Sequence, residues 1–334
     1  MKKTIGILVL CLLIVATIFY VKNNKKDIAS QSPQKVTIAM VTFPGYGPLY
    51  LAKEKGFFGD LNVDLRRIES ISDIRSAVRS GDVQMFMATY DIFQTIKDEV
   101  PNGVGFLAVD TSHGGDGLAV AKEIESIKDL RGKIVGAEPG FPPYLVLQYM
   151  LNKEGMSLKD VNFKDMTTTD VANAFSAGKL DAAAIYEPAL SASIKARAGS
   201  KVLVSTADTV VLTENLVQDL LFSDESFAKE NPDILKKIAE GYFKAVEYMN
   251  TNHDDAFEIM AKAFAVTKQD MEDFQTGISW PDKNANINYF NKDSQVNVFS
   301  TFKLVGDILR ENSDTNITVD ANEKLTNSIV NSFK

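Results

Sequence analysis

The sequence predicts an α/β protein with two lobes and a ligand cleft between them, and three observations lead to this prediction. Short apolar strands alternate with helices over most of the 334 residues. This alternation stops and begins again near residue 126. Two motifs also recur at nearly one offset, because residues 44–48 resemble 139–143 and residues 77–83 resemble 174–180. We therefore expect two lobes of the same design.

The composition excludes several classes of protein. Apolar residues make up 45% of the chain and charged residues 24%, which is typical of globular domains with a buried core. The net charge of −8 disfavours binding to nucleic acid, since the phosphate backbone would be repelled. One cysteine cannot form an intrachain disulfide, and one cysteine with two histidines cannot form a usual zinc site. We predict no metal and no cofactor.

The first 26 residues predict a signal peptide or an N-terminal membrane anchor. Lys2 and Lys3 precede an uncharged run over residues 4–21, and Lys22 follows it. Such a run spans about 27 Å as a helix, close to the thickness of a bilayer core. Cys11 follows Leu10 and lies inside this run, which is typical of an apolar helix and not of a lipid-attachment site. Residues 27–34 are polar and predict a linker, so we expect a periplasmic or cell-surface body attached to the cytoplasmic membrane.

The first lobe is expected over residues 35–121. Its helices end at glycines, which tolerate the left-handed backbone that closes a helix. The predicted strands are 36–41, 63–68, 83–88 and 104–109, and the predicted helices are 49–58, 73–79 and 91–100.

The second lobe is expected over residues 122–214 and repeats the pattern. The predicted strands are 133–137, 161–166, 180–185 and 202–206, and the predicted helices are 144–153, 170–177 and 189–197.

Residues 215–334 are expected to return to the first lobe and end in helices. Asn231, Pro232 and Asp233 are typical of a helix start, and Thr267 with Asp270 resembles a capping box after a second helix over 255–264. The chain then crosses between the lobes twice, near 119–123 and 212–217. The glycine-rich segment 110–117 is interpreted as a hinge or as a loop at the rim of the cleft.

Four loops are expected to face one another across the cleft, because ligands of open α/β sheets lie beyond the carboxyl ends of the strands. These loops are 42–48, 88–91, 138–144 and 186–188. They are aromatic and acidic, which favours an aromatic box with carboxylates that accept N–H donors. The alternative is that the rings pack between strand and helix and the acids cap helices. The candidate side chains are Phe43, Tyr46, Tyr90, Asp91, Glu138, Phe141, Tyr144, Tyr186 and Glu187.

These loops contain no Arg or Lys. We therefore expect a nitrogen-bearing ligand, such as an amino-sulfonate zwitterion or an aminopyrimidine, in preference to nitrate or a simple alkanesulfonate. If Glu187 pairs with a charged nitrogen, Glu187→Gln should weaken binding about tenfold. Trp280, the single tryptophan, is interpreted either as a core residue or as a stacking residue at the mouth of the cleft. No nucleophile elbow, metal-binding helix or phosphate loop is present in the sequence, so no catalytic residue is predicted.

Residues 44–58 (PGYGPLYLAKEKGFF), 178–182 (GKLDA) and 186–188 (YEP) carry a resemblance to a known family. Over residues 35–250 the chain resembles the periplasmic substrate-binding proteins of ABC importers for sulfonates, taurine, nitrate and thiamine precursors. The resemblance implies a type II periplasmic-binding-protein fold, a monomer, and ABC permease and ATPase subunits as partners. It also implies ligand contacts from Tyr46, Thr89, Glu138, Phe141 and Glu187.

Two departures from the family pattern leave the ligand open. Relatives often have Trp where this chain has Phe43 and Tyr186. The alternatives to a binding protein are an enzyme on the same fold, resembling thiamine-pyrimidine synthase, and a membrane-tethered ligand sensor.

Overall fold

The computed structural model describes residues 35–96, 100, 102–312 and 320–334. The predicted signal peptide or anchor (1–26) and the linker (27–34) lie outside these residues. None of the helices within the described ranges has both the length and the apolar character that crossing a membrane requires.

The described strands form two separate sheets, one for each predicted lobe. In chain order the strands are β1 (Lys35–Met40), β2 (Asn62–Arg67), β3 (Met85–Thr89), β4 (Gly103–Ser112), β5 (Asp116–Val120), β6 (Ile134–Ala137), β7 (Asn162–Asp165), β8 (Ala182–Tyr186), β9 (Lys201–Ser205), β10 (Gln218–Asp224) and β11 (Ile278–Ser279). The first sheet has the order β11-β4-β10-β3-β1-β2, and the second has the order β7-β6-β8-β5-β9.

Fifteen α-helices cover these sheets in the described part of the chain. They are α1 (Gly47–Glu54), α2 (Ile71–Ser80), α3 (Tyr90–Ile96), α4 (Pro142–Lys153), α5 (Thr168–Ser176), α6 (Ala189–Ala196), α7 (Thr209–Leu212), α8 (Glu225–Glu230), α9 (Pro232–Thr251), α10 (His253–Phe264), α11 (Lys268–Gln275), α12 (Lys283–Tyr289), α13 (Val298–Asn312), α14 (Ala321–Lys324) and α15 (Ser328–Asn331).

The predicted α/β class is confirmed, but each sheet contains an antiparallel strand that the sequence pattern did not indicate. Strands β1, β2 and β3 are parallel, as are β6, β7 and β8. Strand β10 runs antiparallel between β3 and β4, and β5 runs antiparallel between β8 and β9. The short strand β11 is also antiparallel to β4. Strands β5 and β10 are each the first strand that the chain forms after it crosses between sheets. Their amino-terminal ends therefore lie at the sheet edge where the parallel strands have their carboxyl ends.

The first crossing lies earlier than we expected. The chain leaves β4 at Ser112 and enters the second sheet at Asp116, so the expected position near 119–123 is wrong. Residues 110–117 are mostly strand, but they contain the connection between the lobes at 113–115, where we expected a hinge or a loop at the rim of the cleft. Thr206 closes the crossing, because its hydroxyl accepts the Gly114 N–H at 2.8 Å and lies 2.7 Å from the Ser112 hydroxyl. The return crossing runs from Ser205 to Gln218, in agreement with the expected region.

The C-terminal helices pack largely on the first lobe, as expected. Helices α9 and α10 both contact α1, and the predicted capping box at Thr267 is present at the start of α11. Helix α13 differs from the expectation, because it contacts α3 of the first lobe and also α4 of the second. The lobes are therefore linked by this helix as well as by the two crossings.

Candidate functional site

A cavity of about 280 Å³ lies between the two sheets, where the strands end and the helices begin. Its walls come from both lobes. The residues that line it are Val41, Thr42, Phe43, Tyr46, Glu69, Thr89, Ile92, Ser112, Asp116, Glu138, Phe141, Pro142, Thr167, Thr168, Thr169, Tyr186, Val217 and Asp219.

The first wall begins with a tight turn after β1. Pro44–Tyr46 forms one turn of 3-10 helix, and the Tyr46 hydroxyl donates to Asp219 Oδ1 at 2.8 Å. The indole N–H of Trp280 donates to the Gly45 carbonyl at 2.8 Å and holds the turn from behind. A Cβ at Gly45 would lie 2.4 Å from Phe43 Cε1 and 2.5 Å from Asp110 Oδ2. Only glycine fits there, so the turn rests directly on a buried carboxyl group.

Two aspartates reach the cavity from the antiparallel strands, Asp219 from the first lobe and Asp116 from the second. Asp116 is the first residue of β5 and Asp219 the second of β10, and each side chain is 5% exposed. Asp110 lies beneath Asp219 on the neighbouring strand β4, where it is 1% exposed. The floor of the cavity is therefore built from closely spaced carboxyl groups.

The second wall also contains a carboxylate, but that group is bound by its own lobe. Glu138 Oε2 accepts the Thr168 backbone N–H and the Thr168 hydroxyl, both at 2.7 Å. The Phe141 and Tyr186 rings lie nearly parallel, with centroids 6.4 Å apart. This wall offers hydroxyls, two aromatic faces and the start of helix α5.

Burial raises the pKa values of the aspartates at the floor of the cavity. It raises the pKa of Asp116 to about 7, with Asp91 and Glu187 adding repulsion. It also raises the pKa of Asp219 to about 7, although the Tyr46 hydrogen bond opposes the shift. Burial and the nearby Asp219 carboxyl raise the pKa of Asp110 well above its usual range. These carboxyl groups are thus poorly compensated by the protein groups around them.

The cavity is acidic overall. Four of the described residues that line it carry carboxylates, and none of them is Lys or Arg. The arrangement can accept hydrogen bonds from a ligand and can stabilise a positive charge, but it presents no basic side chain to an anion.

Six of the predicted site residues lie along the cavity. They are Phe43, Tyr46, Thr89, Glu138, Phe141 and Tyr186. Their contact with a ligand stays a prediction.

Five predicted site residues lie elsewhere. Tyr90 is fully buried and donates to Gln218 Oε1 at 2.6 Å, while Asp91 accepts the Thr89 hydroxyl at 2.5 Å below the wall. Because these side chains point from the start of α3 into the core of the first lobe, a direct ligand contact is not supported for either of them. The rings of Tyr144 and Phe163 pack against each other outside the cavity.

The remaining two have identifiable structural partners. Glu187 accepts the Ser191 backbone N–H at 3.1 Å and the Ser191 hydroxyl at 2.6 Å at the start of α6. Trp280 lines a different, open cavity of about 770 Å³ together with His113 and His253. Its indole supports the Pro44–Tyr46 turn from outside the interlobe cavity.

The main residues that sequence reasoning missed are Asp116 and Asp219. The carboxyl-end rule selects only strands that run toward the cleft, and these residues lie at the starts of strands that run away from it. The sequence did contain a signal for them. Asp116 and Asp219 each stand at the start of the short apolar run that follows an interlobe crossing.

A group away from the cavity has metal-type ligands. His253 Nδ1 lies 3.9 Å from both Asp254 Oδ1 and Glu272 Oε1. The Lys268 ammonium already contacts both carboxylates. We assign no metal role to this group.

Comparison with proteins of known sequence finds binding proteins. The chain is 26% identical over 171 residues to a Brucella abortus protein named as a binding protein, and it spans about half the length of that relative. It is 26% identical over 289 residues to a Bacillus subtilis protein named as an aliphatic sulfonates-binding protein, with 81% of each chain covered.

Solved structures with similar folds include both a binding protein and an enzyme. The periplasmic aliphatic sulphonate binding protein SsuA of Escherichia coli superposes with a TM-score of 0.72 at 17% identity, over 88% of this chain and 92% of that one. The desulfurization enzyme DszB superposes with a TM-score of 0.59 at 13% identity, over 89% and 98%. At these identities the likeness shows the fold, and the predicted periplasmic-binding-protein architecture is confirmed.

The family comparison covers the parts of the chain that build the cavity. The matched region includes the Pro44–Tyr46 turn, both crossings, and the starts of β5 and β10. The family model described as NMT1/THI5 like matches residues 44–256, well over half of the chain, and the protein belongs to that family.

Proposed function

We propose that this protein captures a small nitrogen-bearing organic solute in the interlobe cavity and delivers it to an ABC importer. The observation that carries the proposal is the charge of the cavity, whose described walls hold four carboxylates and no Lys or Arg. An ammonium or amidine gains charge-assisted hydrogen bonds of roughly 1.5–3 kcal/mol from such acceptors. A bare anion would meet repulsion, offset only by helix N-termini at about 0.3–1 kcal/mol each.

The volume of the cavity and its aromatic rings restrict the class of ligand further. A volume of about 280 Å³ lies at the lower end of the range of roughly 300–1,000 Å³ for ligand pockets, which favours a compact solute. The Phe43, Tyr46, Phe141 and Tyr186 rings offer faces to a flat ring or a cation. An amino-sulfonate zwitterion or an aminopyrimidine fits this description.

The names of the relatives point to sulfonates, and the charge of the cavity qualifies that suggestion. A Bacillus subtilis relative is named for aliphatic sulfonates, which carry a negative group. A zwitterion satisfies both observations, because its ammonium can face Asp116 and Asp219 while its acid group faces the hydroxyls of the second wall. A simple alkanesulfonate has no group for the acidic floor.

The transport role rests on the family and on the named binding proteins among its relatives. In this proposal the body lies outside the cytoplasmic membrane, residues 1–26 attach or direct it there, and a permease with an ATPase receives the solute. Because the match spans about half of the Brucella relative, these partners belong to the proposal.

The enzyme alternative has the DszB fold in its favour. We favour binding because several relatives are named as binding proteins, and because the described cavity walls contain no His, Cys or Lys side chain beside their carboxylates and hydroxyls.

A matched pair of ligands tests the proposal. Taurine and ethanesulfonate differ only in the amino group, so calorimetric titration of the full chain with each isolates the contribution of the nitrogen. We expect taurine to bind at least about tenfold more tightly. An aminopyrimidine and its hydroxyl analogue form a second pair. The proposal is wrong if ethanesulfonate or nitrate binds best.

A further inference from the structure

We propose that Asp219 and Asp110 act as one proton-sharing pair, in which Asp219 contacts a cationic group of the ligand and Asp110 is a positioning residue, so that the cation enters in exchange for a proton. The inference rests on the proposed function, since it names the residues and the proton by which the same cavity selects its ligand.

The pair comes from two neighbouring antiparallel strands. Asp110 on β4 and Asp219 on β10 are register partners, and they are 1% and 5% exposed. Two ionised carboxylates that are buried side by side without a cation repel each other, and the repulsion is relieved when one of them is protonated. The pairing of these strands therefore favours one proton held by the two carboxyl groups.

The two carboxyl groups differ in what can reach them. Asp219 lines the cavity, and its Oδ1 accepts the Tyr46 hydroxyl at 2.8 Å. Asp110 is covered by Gly45, where even a methyl group would come within 2.5 Å of its Oδ2. That Oδ2 atom is buried and has no hydrogen-bond partner. A ligand can thus contact Asp219, whereas Asp110 acts only through it.

Nothing basic faces the pair from the described elements around it. The titratable groups that act on it are all acidic or phenolic, and they are Tyr46 on the 3-10 turn, Tyr90 and Asp91 on α3, Asp116 on β5 and Tyr242 on α9. The Tyr242 hydroxyl donates to the Val109 carbonyl at 2.6 Å, so it does not compensate the pair. Among the described residues that line the cavity, none is a Lys or Arg that could compensate the pair.

A cation at Asp219 and the shared proton therefore compete for the same negative charge. Burial raises the pKa of Asp219 to about 7, which puts the exchange near neutral pH. If one proton leaves for each cation that binds, affinity rises by up to about tenfold per pH unit while the pair is protonated. A bare anion would show the opposite sign, because its binding would favour the protonated pair.

Proton release can be counted directly. The full chain is titrated by calorimetry at pH 6 with taurine and with propylammonium, in two buffers that differ in ionisation enthalpy. For the wild-type chain we expect about one proton released per probe bound. Asp219→Asn should weaken both probes by at least about tenfold, since an ionic acceptor is lost. Asp110→Asn should retain binding but release close to no proton.

A surface variant provides the matched control. Asp60→Asn removes the same charge from an exposed residue that pairs with Lys237 at 2.6 Å, and it should keep both the affinity and the proton count. The pair is overturned if the probes bind with no proton release, with affinity independent of pH, or equally well in Asp219→Asn. Those outcomes leave the proposed function intact. Failure of both probes while ethanesulfonate binds overturns both proposals.

A measurement on the ligand-free wild-type chain covers the case in which a variant fails to fold. Carboxyl-carbon NMR of the aspartates should show one coupled titration of Asp110 and Asp219 near neutral pH. Independent titrations of the two groups in the ordinary acidic range would overturn the pair.

Discussion

The cleft contains carboxylates in two opposite states, those that their own lobe has already bound and those on the antiparallel strands. On the second wall, Glu138 Oε2 is already occupied by two hydrogen bonds from Thr168 of its own lobe. On the first wall, Glu69 is bound in the same way by the Thr42 backbone N–H and hydroxyl. Asp116 and Asp219, at the starts of β5 and β10, are buried, and the described residues that line the cavity around them include no Lys or Arg. The number of carboxylates in a cleft is therefore not the number of acceptors that a ligand can use. What decides is whether the local chain has already satisfied them.

The largest expected effect is a loss of stability of the empty protein as the pH rises from about 4 to about 7. The pKa of Asp116 is raised by burial to about 7, so over this range the folded state binds a proton that the unfolded state has lost. The slope is then negative, at about 1.4 kcal/mol per pH unit for each such carboxyl. Chemical unfolding at several pH values measures it, and Asp116→Asn should make the curve flatter.

The acids of the surface do not obscure this slope. The pKa values of Asp60, Asp254 and Asp270 are lowered by hydrogen bonds, in two cases from lysine side chains. A lowered pKa stabilises the fold above about pH 4, and that contribution is lost only below this pH. A stability that stays flat or rises between pH 5 and 7 would mean that the Asp116 carboxylate is compensated within the folded protein.

The next effect compares two glycines at equivalent positions in the repeated motif. Gly45→Ala would force Cβ to within 2.4–2.5 Å of Phe43 and Asp110, at a cost of about 1–3 kcal/mol together with displacement of the floor. Gly140 has a φ of +84°, and a methyl group there would meet no atom within 4 Å, so Gly140→Ala carries only backbone strain of about 1 kcal/mol. Urea unfolding of both variants measures the difference.

Ligand binding separates these two variants more clearly than stability does. Gly45→Ala should abolish binding at concentrations that saturate the wild-type chain, whereas Gly140→Ala should retain it. Equal losses of affinity in the two variants would show that the turns at Gly45 and Gly140 contribute equally to ligand binding.

A smaller effect is expected from one hydroxyl. Tyr46→Phe removes the donor to Asp219 Oδ1 and leaves that buried oxygen without this partner, at a cost of about 1–2 kcal/mol. It should also raise the pKa of Asp219 further, since the hydrogen bond lowers it. Tyr186→Phe on the second wall is the control, because this ring is only partly buried, and we expect it to change stability by less than about 0.5 kcal/mol. Urea unfolding at pH 7 measures the stability of both variants. A larger loss of stability in Tyr186→Phe than in Tyr46→Phe would contradict the importance that we assign to the Tyr46 hydroxyl.

Sequence reasoning predicted most of the parallel strands, helices and facing loops, because these elements depend on local patterns of residues. Apolar runs and glycine stops located the parallel strands and their helices to within a few residues, and the Pro-Gly repeat located the facing loops. It did not predict β5 or β10, since whether a strand runs parallel or antiparallel depends on where the chain crosses between the lobes. Asp116 and Asp219 were missed for that reason.

The same limit applies to the direction of side chains. Tyr90 and Asp91 follow β3 at the sheet edge that faces the cleft. They form the first turn of α3, and that turn directs their side chains into the core. A loop can be placed by the pattern of apolar residues, but the face of a helical turn that a residue occupies depends on the packing of that helix.

The smallest expected effect concerns Glu187, where the structure changes what the sequence led us to expect. From the sequence alone, Glu187→Gln should weaken binding about tenfold. In the structure both Glu187 oxygens accept hydrogen bonds from Ser191, and the side chain lies outside the cavity. A glutamine oxygen can still accept the Ser191 backbone N–H, so we now expect the affinity for taurine to change less than about twofold and the stability by less than about 0.5 kcal/mol. Fluorescence titration measures the affinity, since Trp280, the single tryptophan, bonds to the turn that carries Tyr46. A tenfold loss of affinity in Glu187→Gln with no loss in Asp219→Asn would show that the cation binds at Glu187 of the second lobe and not at Asp219 of the first.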